Sequence, residues 1–193
     1  MTAEFAAFAK ERGIGITAEA TPHHLALCDE ALAEWGANAK MNPPLAARSE
    51  RDWLRKATAQ GLIDCIATDH APHAARLKNQ GLAQAPFGII GLETAFAVVH
   101  TVLVDSGLMD LPRLIALMTF RPARILGLSA GTLAPGAAAD VAILDPNWSG
   151  SIGDSWLHSK SRNTPFLGYR ARGRVAASFV GGRLVFREGA LAE

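Results

Sequence analysis

The 193-residue sequence predicts an α/β fold with a parallel sheet, followed by a smaller β-rich segment. Helical patterns alternate with short apolar runs in the first part of the chain, and this alternation is typical of parallel α/β units. Glycines then become frequent after about residue 129, and strand-like patterns replace the helical ones. We therefore expect one domain over residues 1–129 and a β segment over residues 130–193.

The chain opens with a helical pattern that is followed by a strand. Phe5, Phe8 and Ala9 share one helical face, and Gly13 suits the C-terminal cap of this helix. The run "IGITAEA" at residues 14–20 then predicts the first strand.

A second helix and a second strand follow in the same order. Ser49, with Asp52 three residues later, resembles a capping box and predicts a helix that ends at Gly61. The apolar run "LIDCIAT" at residues 62–68 predicts the second strand. Because helix and strand alternate, we expect the two strands to be parallel neighbours.

Three more helices are predicted after the second strand. Residues 91–107 form a long, mostly apolar pattern that predicts a buried helix. Asp110 suits the N-cap of a shorter helix, and Pro122 suits the first turn of another. The inward side chains of the shorter helix are expected to be Leu114, Leu117 and Met118.

The β segment contains two further patterns. The run "AADVAILD" at residues 138–145 predicts a strand. The run "VAASFVGGRLVF" at residues 175–186 predicts a hairpin whose two-residue turn is Gly181-Gly182.

Composition argues against several classes of partner. The chain has 19 basic and 18 acidic residues and no basic run longer than "RARGR", so we expect neither nucleic acid nor a membrane surface as a binding partner. The apolar stretch at residues 95–104 is too short to span a bilayer, and no signal pattern is present. Cys28 and Cys65 lie far apart, which argues against a disulfide framework or a thiolate zinc site. We expect a soluble, cytoplasmic protein.

The run "DCIATDHAPH" at residues 64–73 places an aspartate and two histidines directly after the second predicted strand. In parallel α/β barrels the working residues project from the C-terminal ends of the strands. Pro72 opposes a helix between Asp69 and His73, so we expect both side chains to line a loop over a pocket. A hydrogen-bonded structural pair is the alternative interpretation.

Three other candidate residues have simpler interpretations. His23 and His24 follow the first predicted strand in "TPHH", where they can serve as hydrogen-bonded polar groups of a loop. Cys65 lies inside an apolar strand and is expected in the core.

Four segments, in the same order, resemble the carboxyl-terminal half of class I dihydroorotases of the amidohydrolase superfamily: "TAEATPHHL" at 17–25, "KMNPPL" at 40–45, "DCIATDHAPH" at 64–73 and "APFGIIGLETAF" at 85–96. Three later segments continue the resemblance: "RPARILGL", "GTLAPGAAADVAILD" and "NTPFLGYRARGRV". Allantoinases and hydantoinases share the architecture, but their counterparts of "TPHHL" and "ATDHAPH" generally differ. They are therefore the second candidates.

The resemblance implies a TIM-type (β/α)8 metal-dependent hydrolase barrel with a small composite β-sandwich built from both chain ends. Residues 1–129 then correspond to the C-terminal part of the barrel, with roughly the last two of its eight strands. Residues 130–193 correspond to most of the small β-sandwich segment.

The resemblance also implies roles for five residues. Asp69 corresponds to a ligand of the catalytic zinc and to the general base that accepts the proton of the metal-bound hydroxide and returns it to the departing amide nitrogen. Asn42 and His73 correspond to substrate contacts, and the backbone of Phe87 and Gly88 to the edge that hydrogen-bonds the pyrimidine ring. The implied reaction is the interconversion of N-carbamoyl-L-aspartate and (S)-dihydroorotate in pyrimidine synthesis.

The chain departs from the family pattern in two respects. An arginine usually follows "NPPL", but this sequence has Ala46 there and Arg48 two positions later, so either the loop is shifted or that contact is missing. The other zinc ligands of the family precede the "TAEATPHHL" segment, so we expect them upstream of Met1. Zinc catalysis generally needs about three protein ligands, which predicts an inactive carboxyl-terminal fragment.

Three hypotheses therefore remain for the parent protein. It is a dihydroorotase, another cyclic amidohydrolase, or a silent homologue that acts as a structural partner of aspartate transcarbamoylase. We also expect self-association, because unpaired strand edges and the apolar faces of helices such as residues 92–107 seek partners.

Overall fold

The computed structural model describes residues 2–192. The helices are α1 (Thr2–Glu11), α2 (Pro22–Ala26), α3 (Ala31–Trp35), α4 (Arg48–Gln60), α5 (Ala75–Lys78), α6 (Gly81–Gln84), α7 (Ala95–Val99), α8 (Leu111–Met118) and α9 (Phe120–Ile125). Two 3-10 turns (Gly36–Ala39 and Asp154–Trp156) and one π-helical segment (His100–Asp105) complete the helical structure of these residues. The strands are β1 (Glu19–Ala20), β2 (Cys65–Ile66), β3 (Val141–Ser151), β4 (Arg170–Val180), β5 (Arg183–Arg187) and β6 (Ala190–Leu191).

The first two strands pair in parallel, as the alternation of helix and strand predicts. Glu19 lies opposite Cys65 in this pair. Both strands are two residues long, shorter than the seven-residue runs in the sequence. One cause is Asp64, whose carboxylate accepts the Ala18 N–H at 2.7 Å and the Lys10 ammonium at 2.6 Å. A side chain thus takes the donor that a longer strand ladder would use.

The predicted helix over residues 91–107 exists, but it begins at Ala95 and continues as the π-helical segment. The Thr101 hydroxyl donates to the Ala97 carbonyl at 2.7 Å and accepts the Arg172 N–H of β4 at 2.8 Å. The apolar side chains of α7 and the π-helical segment lie in the core, where Val98 and Leu103 have no exposed surface. The expectation that this helix offers an apolar face for self-association is therefore wrong.

Helix α1 forms as predicted, and Gly13 follows it with a positive φ of 73°. Of the three residues that share its apolar face, Ala9 is buried, while Phe5 is 63% exposed and Phe8 is 49% exposed. Phe8 instead lies against the Arg12 guanidinium, which is 3.4 Å from the centre of its ring.

The predicted capping box of α4 is wrong. The N-cap residue is Ala47, with no side-chain cap, and Asp52 binds the Arg51 guanidinium instead. The predicted end of this helix is confirmed, since Gly61 follows it with a φ of 88°. Asp110 caps α8 as predicted, accepting the Arg113 N–H at 2.8 Å. Of the three inward side chains of α8, Leu114 and Leu117 are buried and Met118 is half-buried.

The β segment forms one antiparallel sheet in the order β3-β4-β5-β6. Val180 pairs with Arg183, so Gly181-Gly182 is the predicted hairpin turn. A sandwich needs two sheets, and residues 2–192 contain one antiparallel sheet, so the sandwich stays a prediction. Ile152, Phe166 and Ala171 share a core with the helical part of the chain.

Both cysteines are free and buried. Among residues 2–192, no helix has the length and apolar character that a membrane span requires.

Candidate active site at the strand ends

The candidate site consists of four segments, which we call the strand-end loops: residues 21–24, 40–45, 67–73 and 85–91. The first of them runs from Thr21, the N-cap of α2, into that helix. The first follows β1 and the third follows β2, and the carboxyl ends of parallel strands lie at one edge of a sheet. A parallel bridge between His70 and Ile89 joins the third loop to the fourth. The loops that the sequence singles out therefore meet in space.

Asp69 lies in the third loop, three residues beyond β2. Its φ is +49°, a left-handed conformation that aspartate tolerates better than most residues. The residue is exposed, and no hydrogen bond or ion pair of its carboxylate occurs within residues 2–192. An exposed, unpaired carboxylate held by unusual backbone geometry is available for a ligand or a proton.

His73 connects the third loop to the fourth, since its Nε2 lies 2.9 Å from the Phe87 carbonyl oxygen. Its backbone N–H donates to the Asn163 side-chain oxygen at 3.1 Å. Helix α5 begins at Ala75, so Asp69 and His73 lie on a loop, as Pro72 predicts.

Gly88 lies where two loops approach too closely for a side chain. Its φ is +101°, and a Cβ at this position would lie 2.6 Å from the Ala71 Cβ. Its N–H donates to the Lys40 carbonyl at 2.9 Å, and the Ala71 N–H donates to the Ile89 carbonyl at 2.8 Å. Only glycine fits here without displacing the third loop.

Asn163 is a residue that the sequence analysis missed. It is 4% exposed, and its amide nitrogen donates to the carbonyls of Ala71 at 2.9 Å and Gly88 at 3.2 Å. Its amide oxygen accepts the His73 N–H, and its backbone carbonyl accepts the Ile90 N–H at 3.1 Å. One side chain from beyond residue 129 thus bonds to two strand-end loops. A single buried asparagine produces no periodic pattern in a sequence. The one available signal is that Asn163 is the first residue of the family-like segment "NTPFLGYRARGRV".

Asn42 lies in the second loop, beside the others but without a side-chain contact to them within residues 2–192. Its loop is fixed by the Pro43 carbonyl, 2.9 Å from the His24 Nε2. Arg48 pairs with Glu30 at 2.5 Å on the surface. Arg48 therefore does not take the place of the family arginine in this structure.

The interpretation of His23 and His24 as hydrogen-bonded loop residues is wrong in two respects: both lie on α2, and the buried Nε2 of His23 has no hydrogen-bond partner within residues 2–192. His24 Nδ1 lies 2.7 Å from the Thr21 hydroxyl. His70 Nδ1 accepts the N–H groups of Gly91 at 3.1 Å and Leu92 at 3.3 Å. His23 is 1% exposed, and burial, with a smaller contribution from His24, lowers its pKa to about 3.

Metal binding by these residues alone does not fit the structure. No group of three or more His, Cys, Asp or Glu side chains that could hold a metal exists within residues 2–192. Asp69 offers one ligand, where a catalytic zinc takes about three.

A cleft of about 530 Å³ lies elsewhere in the molecule. Its walls come from the sheet, from the segment Asp154–Trp156 between β3 and β4, and from residues just before α7, and they include Glu93, Trp148, Trp156, Arg174 and Phe186. None of the predicted site residues lines it.

Comparison with known proteins identifies the family. A model of the amidohydrolase family matches residues 3–185. The dihydroorotase of Bacillus caldolyticus is 49% identical over 181 residues, which cover 94% of this chain and 42% of that protein. The dihydroorotase of Elusimicrobium minutum is 47% identical over 188 residues, which cover 97% of this chain and 44% of that protein. The chain thus spans less than half the length of these relatives.

Solved structures agree with this assignment. An L-hydantoinase (dihydropyrimidinase) from Arthrobacter aurescens has a TM-score of 0.90 and 26% identity, over 99% of this chain and 44% of that one. A D-hydantoinase (dihydropyrimidinase) from Thermus sp. has a TM-score of 0.89 and 29% identity, and the match covers 98% of this chain and 43% of that one. Sequence, fold and strand-end loops agree: the chain belongs to the amidohydrolase family.

Proposed function

We propose that this chain is part of a dihydroorotase, which interconverts N-carbamoyl-L-aspartate and (S)-dihydroorotate in pyrimidine synthesis. The observation that carries the proposal is the 47–49% identity to dihydroorotases over at least 94% of the chain. The two hydantoinase structures share 26% and 29% identity. A difference of this size favours the dihydroorotase reaction over the hydantoinase reaction.

In this proposal Asp69 transfers the proton. Its carboxylate accepts a proton from the attacking water as the ring amide carbonyl gains an oxygen, and it returns the proton to the nitrogen as the C–N bond breaks. The exposed carboxylate, free of ion pairs within residues 2–192, supports this role.

Family membership implies a metal cofactor, and we propose that it is zinc with Asp69 as one ligand. A zinc ion would supply Lewis acidity to the amide carbonyl. Because one carboxylate does not hold such an ion, the remaining ligands must come from outside residues 2–192.

We propose that substrate is bound by Asn42 and His73 and along the backbone edge at Phe87 and Gly88, where Gly88 sets the path of the chain. The contact between His73 and the Phe87 carbonyl supports a common site. The Gly88 N–H and carbonyl already bond to the protein, whereas the Phe87 N–H has no partner within residues 2–192. The Phe87 N–H is therefore the backbone donor that we assign to a substrate carbonyl.

The proposal also extends to architecture and partners. We propose that residues 1–129 belong to a (β/α)8 barrel and residues 130–193 to a composite β-sandwich. A homo-oligomer and an aspartate transcarbamoylase partner are part of the proposal as well, and sedimentation of the whole protein with and without that enzyme tests both.

A second candidate is a hydantoinase, which the TM-scores of 0.90 and 0.89 favour. Kinetic assays of the whole protein on dihydroorotate, hydantoin and allantoin separate the candidates. We expect kcat/KM for dihydroorotate to exceed the other two by at least about 100-fold, because a site with matched polar groups rejects analogues that leave them unpaired. A preference for hydantoin or allantoin contradicts the proposal, and no turnover of any of them supports the silent homologue.

A further inference from the structure

Lys78 is a buried lysine whose partners are all backbone carbonyls. It is 4% exposed, and its ammonium donates to the carbonyls of Pro86 and Gly88, each at 3.0 Å. No carboxylate pairs with it within residues 2–192. Burying an ammonium without an acidic partner is costly, so the carbonyl dipoles must offset part of the lost hydration. Burial, and to a smaller extent the charge of Lys40, lower the pKa of Lys78 to about 8.

Lys40 binds the same segment from its other end. Its ammonium donates to the carbonyls of Ala83 at 3.1 Å and Ala85 at 2.7 Å. It also lies 4.4 Å from the centre of the Phe87 ring, within the range of a cation–π contact. Lys40 likewise has no carboxylate partner within residues 2–192.

Together the two lysines hold four carbonyls of the six-residue segment 83–88. The Phe87 carbonyl, which they do not hold, faces His73. The Phe87 N–H is left without a partner among the described residues, and the Phe87 side chain is 53% exposed. The segment has helical structure only up to Gln84, so these side chains supply the restraint that a ladder or helix would otherwise give.

We propose that Lys40 and Lys78 are positioning residues that hold segment 83–88 in the shape that presents the Phe87 N–H to a carbonyl group of a small cyclic amide. This inference rests on the proposed function for its substrate. A segment already held in the bound shape loses less conformational entropy on binding, so the lysines act on affinity and leave proton transfer to Asp69.

Kinetics of the whole protein test the inference. In Lys78→Met and Lys40→Met, which keep most of the side-chain volume, we expect KM for dihydroorotate to rise about tenfold and kcat to stay within about threefold. Lys56→Met is the matched control, because Lys56 is exposed on α4 and no hydrogen bond joins it to the segment within residues 2–192. Lys78→Arg, which keeps the donors, should recover part of the affinity. A fall in kcat with unchanged KM, or equal effects in the control, overturns the inference.

Amide hydrogen exchange on the 193-residue chain separates this inference from the proposed function. The Gly88 amide bonds to the Lys40 carbonyl, and we expect it to exchange about tenfold faster in Lys78→Met while the Phe179 amide in β4 is unchanged. If Lys78→Met does not fold, Lys40→Met, with its half-buried side chain, gives the same measurement. Unchanged Gly88 exchange overturns the inference even if dihydroorotate is turned over. Faster exchange in a protein without turnover supports the positioning role of the two lysines and contradicts only the proposed function.

Discussion

The strand-end loops and the four-stranded sheet are held together in different ways. In the sheet, backbone groups of β3, β4 and β5 bond to each other along antiparallel ladders. In the loops, side chains bond to the backbone of other segments, as Asn163, His73 and Lys78 do. The ladders of the sheet contain many similar hydrogen bonds, so the loss of one bond removes a small part of their stability. Each loop is held by a few side-chain bonds, so the loss of one removes a larger part. Single substitutions should therefore have larger effects in the loops than in the sheet.

The largest expected effect on stability comes from His23, in the first turn of α2 directly after β1. Its pKa is about 3 in the folded chain and about 6.5 when unfolded, so the unfolded state binds the extra proton first. Above pH 6.5, His23 does not lower the free energy of unfolding. As the pH drops from 6.5 towards 3, protonation of His23 in the unfolded state lowers that free energy progressively. We expect His23 to account for a loss on the order of 3 kcal/mol at pH 4.

Urea unfolding at pH 7 and pH 4 measures this contribution. His23→Met should lose less stability between the two pH values than wild type, because the titrating group is gone. His158→Met, at an exposed position, is the control. Parallel pH profiles for wild type and His23→Met would show that His23 does not control acid stability.

The next effect compares a loop glycine with a sheet glycine. Gly88→Ala combines a strained φ with a Cβ contact of 2.6 Å, and we expect a loss of about 2–4 kcal/mol. Gly182→Ala in the hairpin has a φ of 79° but its nearest neighbour, the Ala139 Cβ, is 3.7 Å away, so about 1–2 kcal/mol is expected. Urea unfolding of both variants at pH 7 gives the comparison, and equal losses would contradict it.

A third effect concerns single polar side chains. Asn163→Ala removes the donor of the half-buried Ala71 carbonyl, one of the two donors of the buried Gly88 carbonyl and the acceptor of the His73 N–H, and we expect a loss of about 2–3 kcal/mol. Asp140→Ala removes the acceptor of the Gly181 N–H at the exposed hairpin, where water replaces it, so less than about 1 kcal/mol is expected. Thermal unfolding measures both. A larger loss for Asp140→Ala would reverse the proposed difference between the regions.

The same difference explains what the sequence could predict. Periodic and local patterns identified the hairpin turn at Gly181-Gly182 and the cap at Asp110, because these depend on neighbours in the chain. The meeting of the loops after β1 and β2 also followed from parallel strand order. Neither the role of Asn163 nor that of Lys78 could be predicted, because their partners are distant backbone carbonyls with no pattern of residue types.

Two errors have the same origin. Ser49 and Asp52 have the spacing of a capping box, but Arg51 binds the Asp52 carboxylate. Phe5, Phe8 and Ala9 share one helical face, but of these three only Ala9 is buried by tertiary packing. In each case a local pattern was overruled by a competing contact that spacing does not encode.

The remaining expected effects are on substrate affinity rather than on stability. In the whole protein, Asn42→Ala and His73→Ala should each weaken dihydroorotate binding by about 1–3 kcal/mol, because one hydrogen bond to substrate is lost. Arg48→Ala is the control, since Arg48 pairs with Glu30 on the surface. Unchanged KM and kcat in both site variants would assign Asn42 and His73 to structural roles.

Turnover of dihydroorotate by the Asp69→Asn variant of the whole protein tests the central claim most directly. The substitution removes the proton acceptor with little change in volume, so we expect kcat to fall by more than about 100-fold with an unchanged melting temperature. Asp154→Asn, which alters an exposed ion pair with Arg162, should keep wild-type activity. If Asp69→Asn retains activity within about tenfold of wild type, the strand-end loops do not carry the proton-transfer group that we propose.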